Sequence, residues 1–216
     1  MKIGILGSGH VGSTLGRSFA RAGHVVFFSS RHPHDLQKLA KEVGNGAQAG
    51  TLEDAARFGD VLLLAIPWRN REGLPKAELF KGKVVIDAMN PYTAFGSVMD
   101  LGGSSSSEEV AKLLPGARLV KAFNTMAYKN LEAGAFRTGR ERWVIYVAGD
   151  DADAKQVVSG LIEQIGFVPI DTGSLAEGGR MQQPGTTLYK GWKPLLRAKP
   201  LTEAEALATL ESLKKG

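Results

Sequence analysis

The 216-residue chain predicts an α/β fold, a doubly wound and mostly parallel sheet with a short C-terminal extension, on three observations. Short apolar runs such as Val61-Leu62-Leu63-Leu64-Ala65-Ile66 and Lys83-Val84-Val85-Ile86 are continuous rather than alternating, the pattern of strands covered by helices on both faces. Segments with apolar residues at helical spacing fall between these runs, as crossovers of a parallel sheet require. The first strand and the first helix are joined by a glycine turn, Gly7-Ser8-Gly9-His10-Val11-Gly12.

In chain order, Lys2-Ile3-Gly4-Ile5-Leu6 reads as a buried strand, residues 11–21 as a helix with Leu15 and Phe19 on one face, and Val25-Val26-Phe27-Phe28 as a second strand. A helix over 35–43 ends at Gly44-Asn45-Gly46, and a brief strand near 47–49 precedes Thr51, an N-cap for a helix over 52–58. Strands follow at 60–67, 83–90 and 118–124. The last two end in asparagine, and the long loop 92–103 with its serine run leads into a helix over 107–114 capped by one of the serines. A short helix at 128–133 and a basic loop lead to a strand at 143–149, and acids at 150–153 suit the positive end of the next helix. That helix carries Ala154, Val157, Val158, Leu161, Ile162 and Ile165 on one face. Pro169 marks the final strand, 167–173, as an edge. Residues 1–175 therefore form one domain and 176–216 a loop and helix extension, with 178–185 read as loop and 202–214 as a terminal helix.

Strand, glycine turn and helix in that order make G-x-G-x-x-G a dinucleotide-binding fingerprint, and the fold a Rossmann type. Gly7 permits the turn, Gly9 admits a pyrophosphate close to the backbone, and Gly12 lets the helix approach the sheet. Ser8, His10 and Val11 complete the loop, beneath which the helix N-terminus offers unpaired N–H groups to phosphate. An acid at the end of the second strand is the mark of NAD. Here Ser29-Ser30-Arg31 stands in that place, and hydroxyls plus a guanidinium suit the extra phosphate of NADP. His32 and His34 read as exposed loop residues, and no metal site is expected.

The composition excludes several classes. Without cysteine there are no disulfides, thiolate metal sites or cysteine nucleophiles. The net charge of +5 comes from scattered basic residues, which suits an anionic small ligand and not nucleic acid. No apolar run is long enough for a membrane span and none reads as a signal peptide, so a cytoplasmic protein without a membrane partner is expected.

Four strand ends, at Gly7–Gly12, Ala65-Ile66-Pro67-Trp68, Asn90-Pro91 and Ala122-Phe123-Asn124, converge on the carboxyl rim where such sheets bind ligands. Asn90 and Asn124 either hold a carboxamide or carbonyl or serve as turn residues, and Trp68 either walls a ring or packs. His10 either touches the cofactor or is an exposed turn histidine. Lys121 and Lys129 are the candidate proton donors near the cleft, and both read more simply as solvated surface lysines. No catalytic triad is present, and hydride transfer to a flavin-like ring asks mainly for positioning, so no catalytic residue is assigned.

These stretches, together with Gly149-Asp150-Asp151 and Asp171-Thr172-Gly173-Ser174-Leu175, resemble the NADPH-dependent reductases of coenzyme F420 and the cytosolic domain of the STEAP metalloreductases. The resemblance implies that Ser30 and Arg31 read the 2′-phosphate, that Ile66 and Pro67 border the nicotinamide ribose, and that the Asn90 and Asn124 loops frame the acceptor pocket. It also implies an oxidoreductase using NADP(H) with F420, FMN, FAD or a quinone as electron acceptor. The alternative is an NADPH-binding sensor without turnover. Hydroxyacid dehydrogenases begin similarly but append a helical domain for which the segment after Gly173 is too short. That segment carries Met181, Leu188, Tyr189 and Trp192, so residues 178–190 are expected to pack across a homodimer interface beside the acceptor pocket.

Overall fold

A computed structural model describes residues 1–189 and 200–214. Among them, eight strands form one sheet: β1 (Lys2–Leu6), β2 (Val25–Ser29), β3 (Gln48–Gly50), β4 (Val61–Leu64), β5 (Val84–Asp87), β6 (Arg118–Lys121), β7 (Val144–Gly149) and β8 (Val168–Asp171). Their order is β3-β2-β1-β4-β5-β6-β7-β8. All neighbours are parallel except β6 and β7. The first six strands follow the order of a doubly wound nucleotide-binding sheet, with its switch point between β1 and β4.

The helices are α1 (His10–Arg21), α2 (Gln37–Val43), α3 (Leu52–Phe58), α4 (Ser106–Leu113), α5 (Tyr128–Gly134), α6 (Ala152–Gln164), α7 (Gly178–Met181) and α8 (Glu203–Lys214). Alternate residues of the continuous apolar strands serve two cores. Leu63 and Ile86 join Leu15 and Phe19 of α1 and Val158, Leu161 and Ile162 of α6, while Leu62, Leu64 and Val85 join Ala56 of α3 and Val110 of α4. Burial on both faces explains why these strands show no polar alternation.

The expected elements are present with ends shifted by up to three residues, and β8 is the edge strand that Pro169 foretold. The stretch read as loop at 178–185 contains the single turn α7. The extension packs on its own chain: Leu188, Ala206 and Leu210 join Val144, Tyr146, Val168 and Ile170 in a third core on the second face of β7 and β8. Leu188 and Tyr189 are 1% and 5% exposed within the single chain, which corrects the expectation that they cover a partner. Two open strands need a cover, and the tail supplies it at short range. Lys190 and Trp192 lie outside the described residues.

Candidate functional site

The carboxyl ends of β1, β2, β4 and β5 surround a cleft of about 830 Å³. Its floor is the glycine loop. Gly7 has φ +102°, a conformation that side chains resist, and a Cβ there would also meet Ile66 Cγ2 at 2.7 Å. Ser8 ties the loop to β2, its N–H donating to Ser29 O at 2.9 Å and its Oγ accepting from Ser29 N at 3.0 Å. A Cβ at Gly12 would run into the carbonyl of Gly7, so α1 sits as close to the loop as glycine permits. At Gly9 a Cβ would meet nothing within 4 Å. Gly9 thus faces open space.

Gly9 caps α1 without a side-chain hydrogen bond, and the first turn carries no acid. Among the described residues, the N–H groups of Gly9, His10, Val11 and Gly12 find no acceptor. Three other helices fill this end themselves: Thr51 with Asp54 and Ser105 with Glu108 form capping boxes, and Asp151 caps α6. The open end of α1 faces the cleft, where free N–H groups and the helix dipole suit an anion.

At the β2 end, Arg31 is exposed, lines the cleft and has no hydrogen-bonding or ion-pairing partner among the described residues. Ser30 lines the cleft beside it, its Oγ accepting from His32 N at 3.0 Å. Ser29 does not reach the cleft. It is fully buried, and its hydroxyl donates to Ile5 O at 2.6 Å, because the last residue of β2 alternates inward.

Ala65, Ile66, Pro67 and Trp68 form the β4 wall. The Trp68 ring is 2% exposed, lies under the Arg71 guanidinium at 4.6 Å, and keeps its buried Nε1 without a protein partner. On the β5 side stand Ala88, Met89 and Asn90. Asn90 Nδ2 donates to Asn124 O at 2.9 Å, while Asn124 Nδ2 donates to Asn90 Oδ1 at 3.1 Å and Gln182 O at 2.8 Å. Asn124 thus stands behind Asn90 and orients it, and Pro91 and Ala122 are likewise buried behind the wall. His10 lines the opposite rim, stacked on Tyr128 with centroids 4.4 Å apart.

Lys121 is not the solvated lysine its sequence position suggested. It is fully buried, and its ammonium donates to Asp87 Oδ2 at 3.0 Å, Met89 O at 2.6 Å and Ser106 Oγ at 3.2 Å. Asp87 also accepts from Ser107 Oγ at 2.7 Å and Met89 N at 3.0 Å. Burial pushes the Lys121 ammonium below its usual range while Asp87 holds it up, so this is a structural pair under the Met89–Asn90 turn. Lys129 is exposed, as expected.

Arg69, Asn70, Leu52 and Tyr92 also line the cleft, and sequence reasoning passed over them. Arg69 and Asn70 follow Trp68 directly, and Tyr92 follows Pro91 at the start of the long loop. Proximity to the strand ends was the available signal.

A doubly wound sheet with a glycine loop, an uncapped helix end and a basic group in place of an acid has the features of an NADP-type dinucleotide-binding domain. Residues 2–91 match the family model described as NADP oxidoreductase, coenzyme F420-dependent. The chain is 31% identical over 193 residues to metalloreductase STEAP3 of Rattus norvegicus, covering 89% of this chain and 38% of that protein. A crystal structure of hypothetical protein SMa0349 from Sinorhizobium meliloti superposes with a TM-score of 0.77 at 32% identity, over 94% of this chain and 95% of that one. A protein assigned as an F420-dependent NADP-reductase of Arthrobacter sp. FB24 superposes with a TM-score of 0.73 at 27% identity, over 84% and 90%. Over residues 2–91 the chain carries the sequence pattern of the F420-dependent NADP oxidoreductase family. It spans well under half the length of the curated metalloreductases it matches.

Proposed function

We propose that the protein transfers a hydride between NADPH and a flavin-like acceptor, coenzyme F420 or a flavin or quinone. The observation that carries this reading is a single cleft running from the unpaired guanidinium of Arg31, across the uncapped N-terminus of α1, to Asn90. The residues fit NADP: the N–H groups of α1 are open, the space above Gly9 is open, and no acid stands at the end of β2 to repel a 2′-phosphate.

Bound NADPH supplies the hydride. Ser30 and Arg31 hold the 2′-phosphate, and the Gly7–Gly12 loop holds the pyrophosphate. Ile66 and Pro67 border the ribose, and Asn90, oriented by Asn124, takes the carboxamide. Trp68 and Met89, each 2% exposed, keep water from that wall. A homodimer in the cytoplasm belongs to the same proposal, and the exposed Phe95 and Val98 of the 92–98 loop support self-association.

The test is a screen of NADPH oxidation against F420, FMN, FAD, quinones and ferric chelates. Turnover with a ring acceptor supports the assignment. Turnover with ferric chelates alone overturns the acceptor class, and tight NADPH binding without any turnover identifies a sensor.

A further inference from the structure

Hydride delivery to a conjugated ring leaves negative charge on a ring heteroatom, and that atom must gain a proton for the reduction to finish. The titratable groups on the cleft wall are His10, Arg31, Arg69 and Tyr92. Guanidinium groups hold their protons too tightly to donate. Lys121 is sealed below the wall with its ammonium bonded three ways. His10 belongs to the glycine loop and Tyr92 to the far side beyond Asn90. From β2, where Arg31 sits, to β5 is three strand spacings, roughly 14 Å. With the phosphates at α1 and Arg31, the reactive end of a dinucleotide lies toward β5, and so does Tyr92.

Tyr92 is held in place from both sides. Its N–H donates to Asn90 O at 2.8 Å, and it forms an antiparallel bridge with Val98. Its hydroxyl donates to that of Tyr189 at 3.0 Å, and Tyr189 is itself buried, next in the chain to Leu188 of the β7–β8 core. We infer that Tyr92 donates the proton that completes reduction of a ring acceptor, with Tyr189 as the positioning residue that steadies the phenolate left behind. This rests on the hydride-transfer reading above.

In that step the acceptor gains a hydride, which carries both electrons, from NADPH, which is oxidised to NADP+. The Tyr92 hydroxyl turns from Tyr189 to the acceptor, its O–H bond breaks and its proton goes to the ring heteroatom; the phenolate accepts from the Tyr189 hydroxyl and then takes a proton from water. Burial raises both phenols, and the hydrogen bond shared with Tyr189 draws Tyr92 part of the way back down. Tyr92 is therefore protonated at neutral pH, as a donor must be. The tail closes the acceptor side by a hydroxyl contact within one chain.

The experiment compares wild type with Tyr92→Phe and Tyr189→Phe, using NADPH with FMN or F420. Positioned proton donors contribute on the order of a hundredfold or more. We expect kcat to fall about a hundredfold in Tyr92→Phe and about tenfold in Tyr189→Phe, with loss of the solvent deuterium isotope effect. NADPH affinity, read by fluorescence, stays unchanged in both. In ligand-free protein, an ultraviolet titration of phenolate should show Tyr92 ionising at higher pH in Tyr189→Phe, with the double variant as blank. Unchanged kcat in a Tyr92→Phe protein that binds NADPH normally overturns the proposal while leaving the hydride-transfer reading intact. An inactive wild type that binds NADPH overturns that reading first, and the proton donor with it.

Discussion

Two helices begin at the carboxyl edge of the same sheet, and they are finished in opposite ways. The N-terminus of α1 has glycine as its cap, no acid in its first turn and four N–H groups without an acceptor among the described residues. The N-terminus of α4 is filled: Ser105 and Glu108 cap each other, Ser106 N–H donates to Gln183 of the extension at 2.9 Å, and Ser107 bonds Asp87. The same backbone dipole is left for a ligand in one half of the molecule and consumed by the protein in the other. In the proposed function a dinucleotide is thereby directed to the β2-β1-β4-β5 side, and the β6-β7-β8 side becomes the frame that holds Asn90 and Tyr92.

The largest effect should come from opening the closed end. Lys121→Met removes the cation from a fully buried pair and leaves Asp87 uncompensated, a loss of about 3–5 kcal/mol by urea denaturation. The double change Lys121→Met with Asp87→Leu should recover a good part of it. If the single change is neutral, the network under Asn90 is not the frame it is taken to be.

Closing the open end comes next. Gly9→Asp gives α1 a side-chain cap where there is room for one, and sets a carboxylate where phosphate should sit. We expect NADPH affinity to fall at least about a hundredfold, roughly 2.7 kcal/mol, with thermal stability unchanged or raised. Undiminished affinity in calorimetry would refute the phosphate assignment. Gly12→Ala, by contrast, presses a methyl on the Gly7 carbonyl and should lower stability as well.

Arg31→Ala tests the far end of the cleft. One charge-assisted interaction is worth roughly 1.5–3 kcal/mol, so NADPH should bind about ten- to a hundredfold more weakly while NADH changes little. Equal losses for both cofactors would remove the basis for NADP preference. The smallest effect should come from Ser105→Ala, which deletes a structural cap: about 1 kcal/mol of stability in a denaturant titration and no change in NADPH binding.

The open end was legible before any fold was drawn, because Gly7, Gly9, Gly12 and Arg31 act through the main chain or through their place in a strand–turn–helix unit. Local spacing carries that information. Lys121 shows the opposite case. Its neighbours in sequence describe a strand end near solvent, and its partners Asp87, Met89 and Ser106 lie 34, 32 and 15 residues away. Ser29 failed for a related reason: a strand's last residue faces core or cleft according to sheet register, which pairs it with Gly50 and Leu6.

By itself the sequence determined the alternation of strands and helices, the glycine loop at the first crossover, the absence of an acid at the end of β2 and the edge position of β8, since these rest on period, composition and turn chemistry. Only the tertiary structure decided that β7 runs against β6, that the extension covers its own sheet, and that Tyr189 meets Tyr92 across 97 residues. Those outcomes depend on which apolar faces remain uncovered after the first six strands assemble, and no local segment carries that quantity.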